Sequence, residues 1–162
     1  MYNAEGTTYY QGQWKNGMKE GVGKMQYASG NYYEGAWKAD AKTGMGVMHW
    51  VTCNEVYDGR WEHGEPDGHG EHTWLSGAHA QDALMPDTRA NDASQFQLCN
   101  RYKGNFKQGM RDGYGVFFYS TGARYAGQWA ANVKEGEGTF TFEDGSVYEG
   151  LFQNDRCVRC VR

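Results

Sequence analysis

The sequence predicts an all-β protein: stacked β-hairpins forming one elongated, twisted antiparallel sheet. Three observations carry this expectation. The stretch from Tyr102 to Tyr148 holds two consecutive copies of one pattern, Tyr102-Lys-Gly104-Asn-Phe106 with Gly113-Tyr-Gly115, then Tyr125-Ala-Gly127-Gln-Trp129 with Gly136-Glu-Gly138, and its unit starts Tyr102, Tyr125 and Tyr148 stand 23 residues apart. A fixed period of that size means supersecondary units that pack mainly on their neighbours. Composition agrees, with 24 glycines, 15% aromatics and only 2 prolines, which is neither collagen nor a proline-rich linker. Every glycine except Gly6 falls on a position that recurs from unit to unit.

The units follow in order along one domain, residues 1–162. Residues 1–9 read as the tail of a partial unit. Full units start at Tyr10 (Tyr10-Gln-Gly12-Gln-Trp14, Gly21-Val-Gly23), Tyr33 (Tyr33-Glu-Gly35-Ala-Trp37, Gly44-Met-Gly46) and Tyr57 (Tyr57-Asp-Gly59-Arg-Trp61, Gly68-His-Gly70). Cys53 stands where the second unit should have its closing glycine, and one added residue follows. Between 80 and 100 the pattern stops; Pro86 and a run of turn formers read as an inserted loop, expected to bulge from the side while the next unit continues the stack. Units at Tyr102 and Tyr125 follow, and a sixth at Tyr148 fails where Arg159 and Val161 replace the paired glycines.

Each unit reads as two short strands. Tyr-x-Gly-x-Trp has the period of two that puts both rings and the intervening glycine on one face, and Gly-x-Gly with an aromatic four residues later (Tyr27, Trp50, Trp74, Tyr119, Phe142) repeats that period. The connecting residue is Gly17, Asp40, Gly64, Gly109, Asn132 or Asp155, all tolerant of a left-handed turn. Glycine inside a strand implies a close approach, here expected from rings of adjacent strands. Eleven or twelve strands at about 4.8 Å would span roughly 50 Å.

Several functional classes find little support. A net charge of −4 with scattered Lys and Arg argues against a nucleic-acid or other polyanion partner. No signal peptide and no apolar run approaching the ~18 residues of a membrane span is present, so a soluble, intracellular protein is expected. His63, His69 and His72, with His79 nearby, lack the tight spacing of a closed zinc site. The single Cys157-Val-Arg-Cys160 gives at most half a zinc site or a terminal crosslink, leaving Cys157 and Cys160 as weak metal candidates and a reduced tail as the expectation. Gly21-Val-Gly23 and its sister copies lack the Lys-Ser and helix start of a phosphate loop. Glu20, Asp67, Asp112 and Glu135 precede a glycine in every case and read as loop residues. No catalytic constellation stands out, and no cofactor is expected.

Tyr-x-Gly-x-Trp-x-x-Gly-x-x-x-Gly-x-Gly at this spacing resembles the MORN repeat, and the likeness covers nearly the whole chain outside the insert. A finer likeness runs through Met48-His49-Trp50-Val-Thr52-Cys53-Asn54-Glu55-Val-Tyr57-Asp-Gly59-Arg-Trp61-Glu62, His72-Thr73-Trp74, and Tyr119-Ser-Thr-Gly122-Ala123-Arg-Tyr125 through Tyr148-Glu-Gly150-Leu-Phe152-Gln-Asn154-Asp155, which resemble the radial spoke head protein 10 family. That resemblance implies a non-enzymatic scaffold subunit of the radial spoke head in the axoneme of motile cilia and flagella. Its implied partners are other radial spoke head proteins, including another MORN-repeat spoke-head subunit, in a hetero-oligomeric complex. The alternatives are a membrane- or phosphoinositide-tethering MORN adaptor and a targeting module of a larger enzyme. The rings Tyr10, Trp14, Tyr33, Trp37, Tyr57, Trp61, Tyr102, Phe106, Tyr125, Trp129 and Tyr148 are expected mainly to pack, with part of that face also receiving a partner segment.

Overall fold

The computed structural model describes residues 7–75 and 99–161, and of Cys160 the backbone only. These residues form twelve strands: β1 (Tyr9–Lys15), β2 (Met18–Gln26), β3 (Tyr32–Lys38), β4 (Ala41–Trp50), β5 (Glu55–Glu62), β6 (Glu65–Trp74), β7 (Asn100–Lys107), β8 (Met110–Phe118), β9 (Arg124–Ala130), β10 (Val133–Thr141), β11 (Val147–Gln153) and β12 (Arg156–Val161). They lie in a single sheet in sequence order, each antiparallel to the next. The sheet continues across the insert, with Gly70 facing Gly104 and Trp74 facing Asn100. Most of the 80–100 segment lies outside the described residues; its last residue, Asn100, already begins β7.

One glycine from every strand through β11 stands in a single cross-strand line. Gly12 faces Gly23, Gly23 faces Gly35, Gly35 faces Gly46, and the line runs through Gly59, Gly70, Gly104, Gly115, Gly127 and Gly138 to Gly150. The residue that needs this bare backbone is the tyrosine two positions earlier. A Cβ on Gly46 would collide with the Tyr33 ring, and one on Gly115 with the Tyr102 ring. The covering ring comes from the glycine's own hairpin: from the adjacent strand, as the sequence suggests, for Gly23, Gly46, Gly70, Gly115 and Gly138, and from the same strand for Gly12, Gly35, Gly59, Gly104 and Gly127. Each hydroxyl donates to the carbonyl three residues on, at 3.1 Å for Tyr10 and Tyr33, 2.9 Å for Tyr57 and 3.0 Å for Tyr102 and Tyr125. Burial pushes these phenols up in pKa, to about 12 for Tyr125, which keeps the donor protonated.

The hairpin turns are two-residue turns in which both residues have positive φ: Asn16-Gly17, Ala39-Asp40, His63-Gly64, Gln108-Gly109, Ala131-Asn132 and Asn154-Asp155. That is the type I′ geometry whose twist suits a hairpin. Ala39, Gln108 and Ala131 are poor residues for it, and a neighbour compensates. Glu20 accepts from Ala39 N–H at 3.1 Å, Asp67 from Gln108 at 3.2 Å, Asp112 from Ala131 at 3.4 Å and Glu135 from Asn154 at 3.0 Å. These four acids are thus not loop residues; they lie in β2, β6, β8 and β10 and tie each hairpin end to the next.

The first glycine of each Gly-x-Gly has positive φ, from 58° at Gly44 to 92° at Gly68. It sits where the register shifts, so that Trp14 faces Lys19 while Gly12 faces Gly23. This is a β-bulge that the sixth unit cannot copy. Arg159 occupies the glycine position without positive φ, and Gly150 faces Cys160, one residue short of the equivalent Val161. At the second unit's closing turn, the left-handed conformation falls to Asn54 (φ 56°) and not to Cys53. The added residue there moves the turn by one. Cys157 is disulfide-bonded, which corrects the expected reduced tail and removes it as a thiolate metal ligand.

Candidate functional site

The aromatic rings of the first strands form a ladder across the sheet. Within units, Tyr10 meets Trp14 at 5.1 Å, Tyr33 meets Trp37 at 5.1 Å, and Tyr57 meets Trp61 at 5.2 Å. Between units, Tyr10 meets Trp37 at 5.4 Å, Tyr33 meets Trp61 at 5.2 Å, and Tyr125 meets Phe152 at 4.9 Å. All are edge-to-face, the arrangement the ring quadrupoles favour. The Tyr57–Phe106 contact at 5.0 Å carries the ladder past the insert. Three of the four ladder indoles also reach back one hairpin: Trp37, Trp61 and Trp129 donate Nε1–H to the carbonyls of Gly23, Gly46 and Gly115 at 3.0, 2.9 and 3.3 Å.

This packing changes the expected docking face. Tyr33, Tyr57, Tyr102 and Tyr125 are 0% exposed, and Trp37, Trp61, Phe106 and Trp129 are at most 5% exposed. A ring enclosed to that degree has almost no surface for a partner. Of the eleven expected contact residues only Tyr10, Trp14 and Tyr148 remain accessible; Trp14, at the edge strand, is 57% exposed. Tyr148 lies against Phe142 at 5.3 Å, and no ring contact joins it to Phe152 as the Tyr–Trp pairs join elsewhere.

The accessible part of the same face is a second row, from the distal halves of the second strands. Met25 faces Tyr33, and Phe117 faces Tyr125, so the row shares the ladder's side of the sheet. Beyond it Tyr27, Trp50, Trp74 and Tyr119 are half-buried and Phe142 is 41% exposed. Its rings touch in a chain: His72 stacks on Trp74 at 4.1 Å, Phe117 meets Tyr119 at 4.6 Å, and Phe140 meets Phe142 at 4.7 Å. A shallow depression at its far end is lined by Tyr119, Thr121, Ala123, Phe140, Phe142, Glu143 and Asp144. The sequence marks these second-strand aromatics for their period but gives no sign that they, and not the Tyr-x-Gly-x-Trp rings, stay open.

Cations line the opposite side of the ladder. Lys19 Nζ is 5.4 Å from the Trp37 ring, Lys42 Nζ 4.1 Å from Trp61, and Arg111 Cζ 4.5 Å from Trp129. Asp40 accepts from Lys19 Nζ at 3.0 Å, and Asn132 accepts from the Arg111 backbone N–H at 2.8 Å. Burial draws the pKa of Lys42 and Arg111 down. The face is therefore apolar with cations already held against their own rings.

His72 is the odd member of its row, standing where other units place Met25, Met48, Phe117 and Phe140. Its Nε2 lies 2.9 Å from Glu55 Oε2. Burial draws its pKa down, against the opposing pull of the Glu55 carboxylate. His49, stacked on Tyr32 at 4.3 Å, is lowered for the same reason. His63 is a turn residue and His69 a bulge residue; His79 lies outside the described residues. Among the described residues no three His, Cys, Asp or Glu side chains are grouped to hold a metal ion.

A family model described as the MORN repeat matches residues 10–32, 33–52, 57–79, 102–124 and 125–147. The five matches begin at the tyrosines that open each glycine-covering unit.

Two outcomes follow from this packing. Trp61→Ala should cost about 3 kcal/mol or more in urea denaturation, for the lost ring and the cavity left behind. Trp61→Phe, which loses the indole hydrogen bond and part of the ring volume but keeps a ring in a slot that Phe106 fills elsewhere, should cost less, about 1–2 kcal/mol. Equal losses for both would refute the ladder. For His72, a folded-state pKa below the unfolded 6.5 means the unfolded chain binds more protons. Stability should be full above pH 6.5 and fall as pH drops through the lowered pKa. His72→Met should flatten that decline, leaving the part due to His49; an unchanged pH profile would show that His72 does not contribute.

Proposed function

The chain belongs to the MORN-repeat family, and on that premise we propose that it is a non-enzymatic scaffold subunit of the radial spoke head in the axoneme of motile cilia and flagella. The family and the fold make it a repeat-built binding or scaffold module. The step to the spoke head rests on the likeness of Met48–Glu62, His72–Trp74 and Tyr119–Asp155 to radial spoke head protein 10. Its partners are other spoke-head proteins, another MORN-repeat subunit among them.

The observation that best supports docking is the row Tyr27, Trp50, Trp74, Tyr119 and Phe142. It stays partly open on a face whose ladder rings from Tyr33 to Trp129 are enclosed. Aromatic side chains anchor interfaces well because they bury much area at little entropic cost. A partner segment lying across the hairpins would meet one such ring per unit, about every 10 Å, which is two strand spacings.

The test is to tag the protein in a flagellated cell, strip the membrane with detergent and follow the tag. Retention along the demembranated axoneme, lost in a strain without spoke heads, is the expected outcome. Release with the membrane fraction would contradict it.

A further inference from the structure

One step of the open aromatic row carries an acid. The residue two places before each unit's opening tyrosine is Thr8, Asn31, Glu55, Asn100, Ala123 or Ser146, and of these Glu55 alone is ionisable. At three of the other positions the side chain is spent on a closing turn: Thr8 Oγ1 accepts from the Ala28 N–H at 3.1 Å, Asn31 Oδ1 from Thr52 at 3.4 Å, and Asn100 Oδ1 from Ser120 at 2.9 Å. Glu55 turns into the row, where its Oε2 lies 2.9 Å from His72 Nε2. On one side it faces Trp50 across the sheet, and on the other Trp74. Directly opposed residues share a face. The two indoles of the row thus flank its one acid, while the steps without an acid carry Tyr27, Tyr119 and Phe142.

Rings beside an acceptor are what this chain uses to hold its own cations. Lys19 Nζ lies 5.4 Å from the Trp37 ring and 3.0 Å from the Asp40 carboxylate, and Arg111 Cζ lies 4.5 Å from the Trp129 ring while Asn132 accepts from its Nε at 3.2 Å. At Glu55 the chain supplies the rings and the acceptor only. Among the described residues the one ion-pair partner of Glu55 is His72, and no Lys or Arg lies over Trp50 or Trp74. Burial draws the His72 pKa down from 6.5, so near neutral pH the imidazole donates a hydrogen bond without cancelling the charge. A carboxylate has about four lone-pair sites, which leaves it able to accept again. The Glu55 side chain is 28% exposed, between indoles that are half-buried.

We infer that the Trp50–Glu55–Trp74 step receives an arginine side chain of a partner segment, its guanidinium lying against the indoles and donating to the Glu55 carboxylate. Indole is the ring that attracts a cation best. Arginine suits the step better than lysine because the guanidinium is planar, stacks on aromatic faces, and is more weakly hydrated than an ammonium group, so it loses less on entering a half-buried site. An acid is repelled there, and a neutral amide forgoes the charge-assisted hydrogen bond. The inference rests on the docking-module reading and fixes the register of a segment that equivalent rings would hold at any step.

The test uses the full chain, isotopically labelled, with acetyl-argininamide as probe and the indole N–H resonances of Trp50 and Trp74 as readout. Both should shift saturably. Acetyl-citrullinamide, the neutral isostere, should bind about tenfold more weakly, and acetyl-lysinamide should also bind more weakly. Glu55→Gln keeps an oxygen for His72 and removes the charge, so it should weaken acetyl-argininamide by about tenfold. Trp50→Leu, read at Trp74, should weaken it too and carries the test if Glu55→Gln does not fold. The inference is overturned if neither indole resonance moves saturably, if the citrulline or lysine probe binds as tightly, or if the folded variants bind as well as wild type. It also falls if binding appears only in Arg89→Ala, since the chain's own arginine would then be the occupant. Because no partner protein enters the assay, the site can fail while spoke-head docking stands, and the reverse.

Discussion

The close approach of each opening tyrosine to a line of bare glycines is the constraint on which the rest depends. With no Cβ on Gly12 and Gly23, the Tyr10 ring can lie down along its own strand and bond the Gln13 carbonyl. That places the ring where the next unit's indole must meet it edge-on, and the indole in turn bonds the carbonyl of the preceding Gly-x-Gly. Register, ring packing and the junction between units thus follow from one steric allowance repeated in every hairpin. Because the glycine line and the edge-on ring contact recur at each junction, the β6–β7 pairing beyond the insert keeps the same register, although Phe106 has no N–H to reach the Gly70 carbonyl. Where the allowance lapses, at Arg159 and Val161, the bulge shortens by one residue and Tyr148 leaves the ladder.

Much of this was legible from glycine spacing alone, since a residue type with no side chain is informative wherever it recurs in a strand. The hairpins, the left-handed turn residues and the shared face of Tyr-x-Gly-x-Trp all came from periodicity. What periodicity cannot carry is who fills the space. The same alternation is consistent with rings from a neighbouring strand or from the same strand, and only the three-residue reach of the tyrosine hydroxyl decides it. Glu20, Asp67, Asp112 and Glu135 read as loop residues because their partners, the N–H groups of the next turn, lie 19 residues away in sequence, or 41 across the insert. Most of the rings expected to receive a partner are enclosed for a related reason. Regularity marks the rings that pack, and burial is a property of the assembled sheet.

The division between enclosed and open rings bears on function. An array whose ladder is closed and whose hairpin ends are stitched by Asp40, Asn132 and Asp155 presents its second-strand aromatics at fixed intervals on a sheet held from both margins. A scaffold needs that kind of spacing, because partner segments are positioned only as well as the surface that holds them. The irregular unit then acquires meaning against the regular ones: His72 beside Glu55 makes one interval polar.

A double-mutant cycle between Gly23 and Tyr10 tests the central claim most directly, because the nearest atoms to a Cβ at Gly23 all belong to the Tyr10 ring. Gly23→Ala in the wild-type background should destabilise by about 1–3 kcal/mol, as overpacking does. In a Tyr10→Ala background the same substitution should be neutral or stabilising by up to about 1 kcal/mol, since alanine suits a strand better than glycine. An equal cost in both backgrounds would mean that the tyrosine is not what the glycine line accommodates.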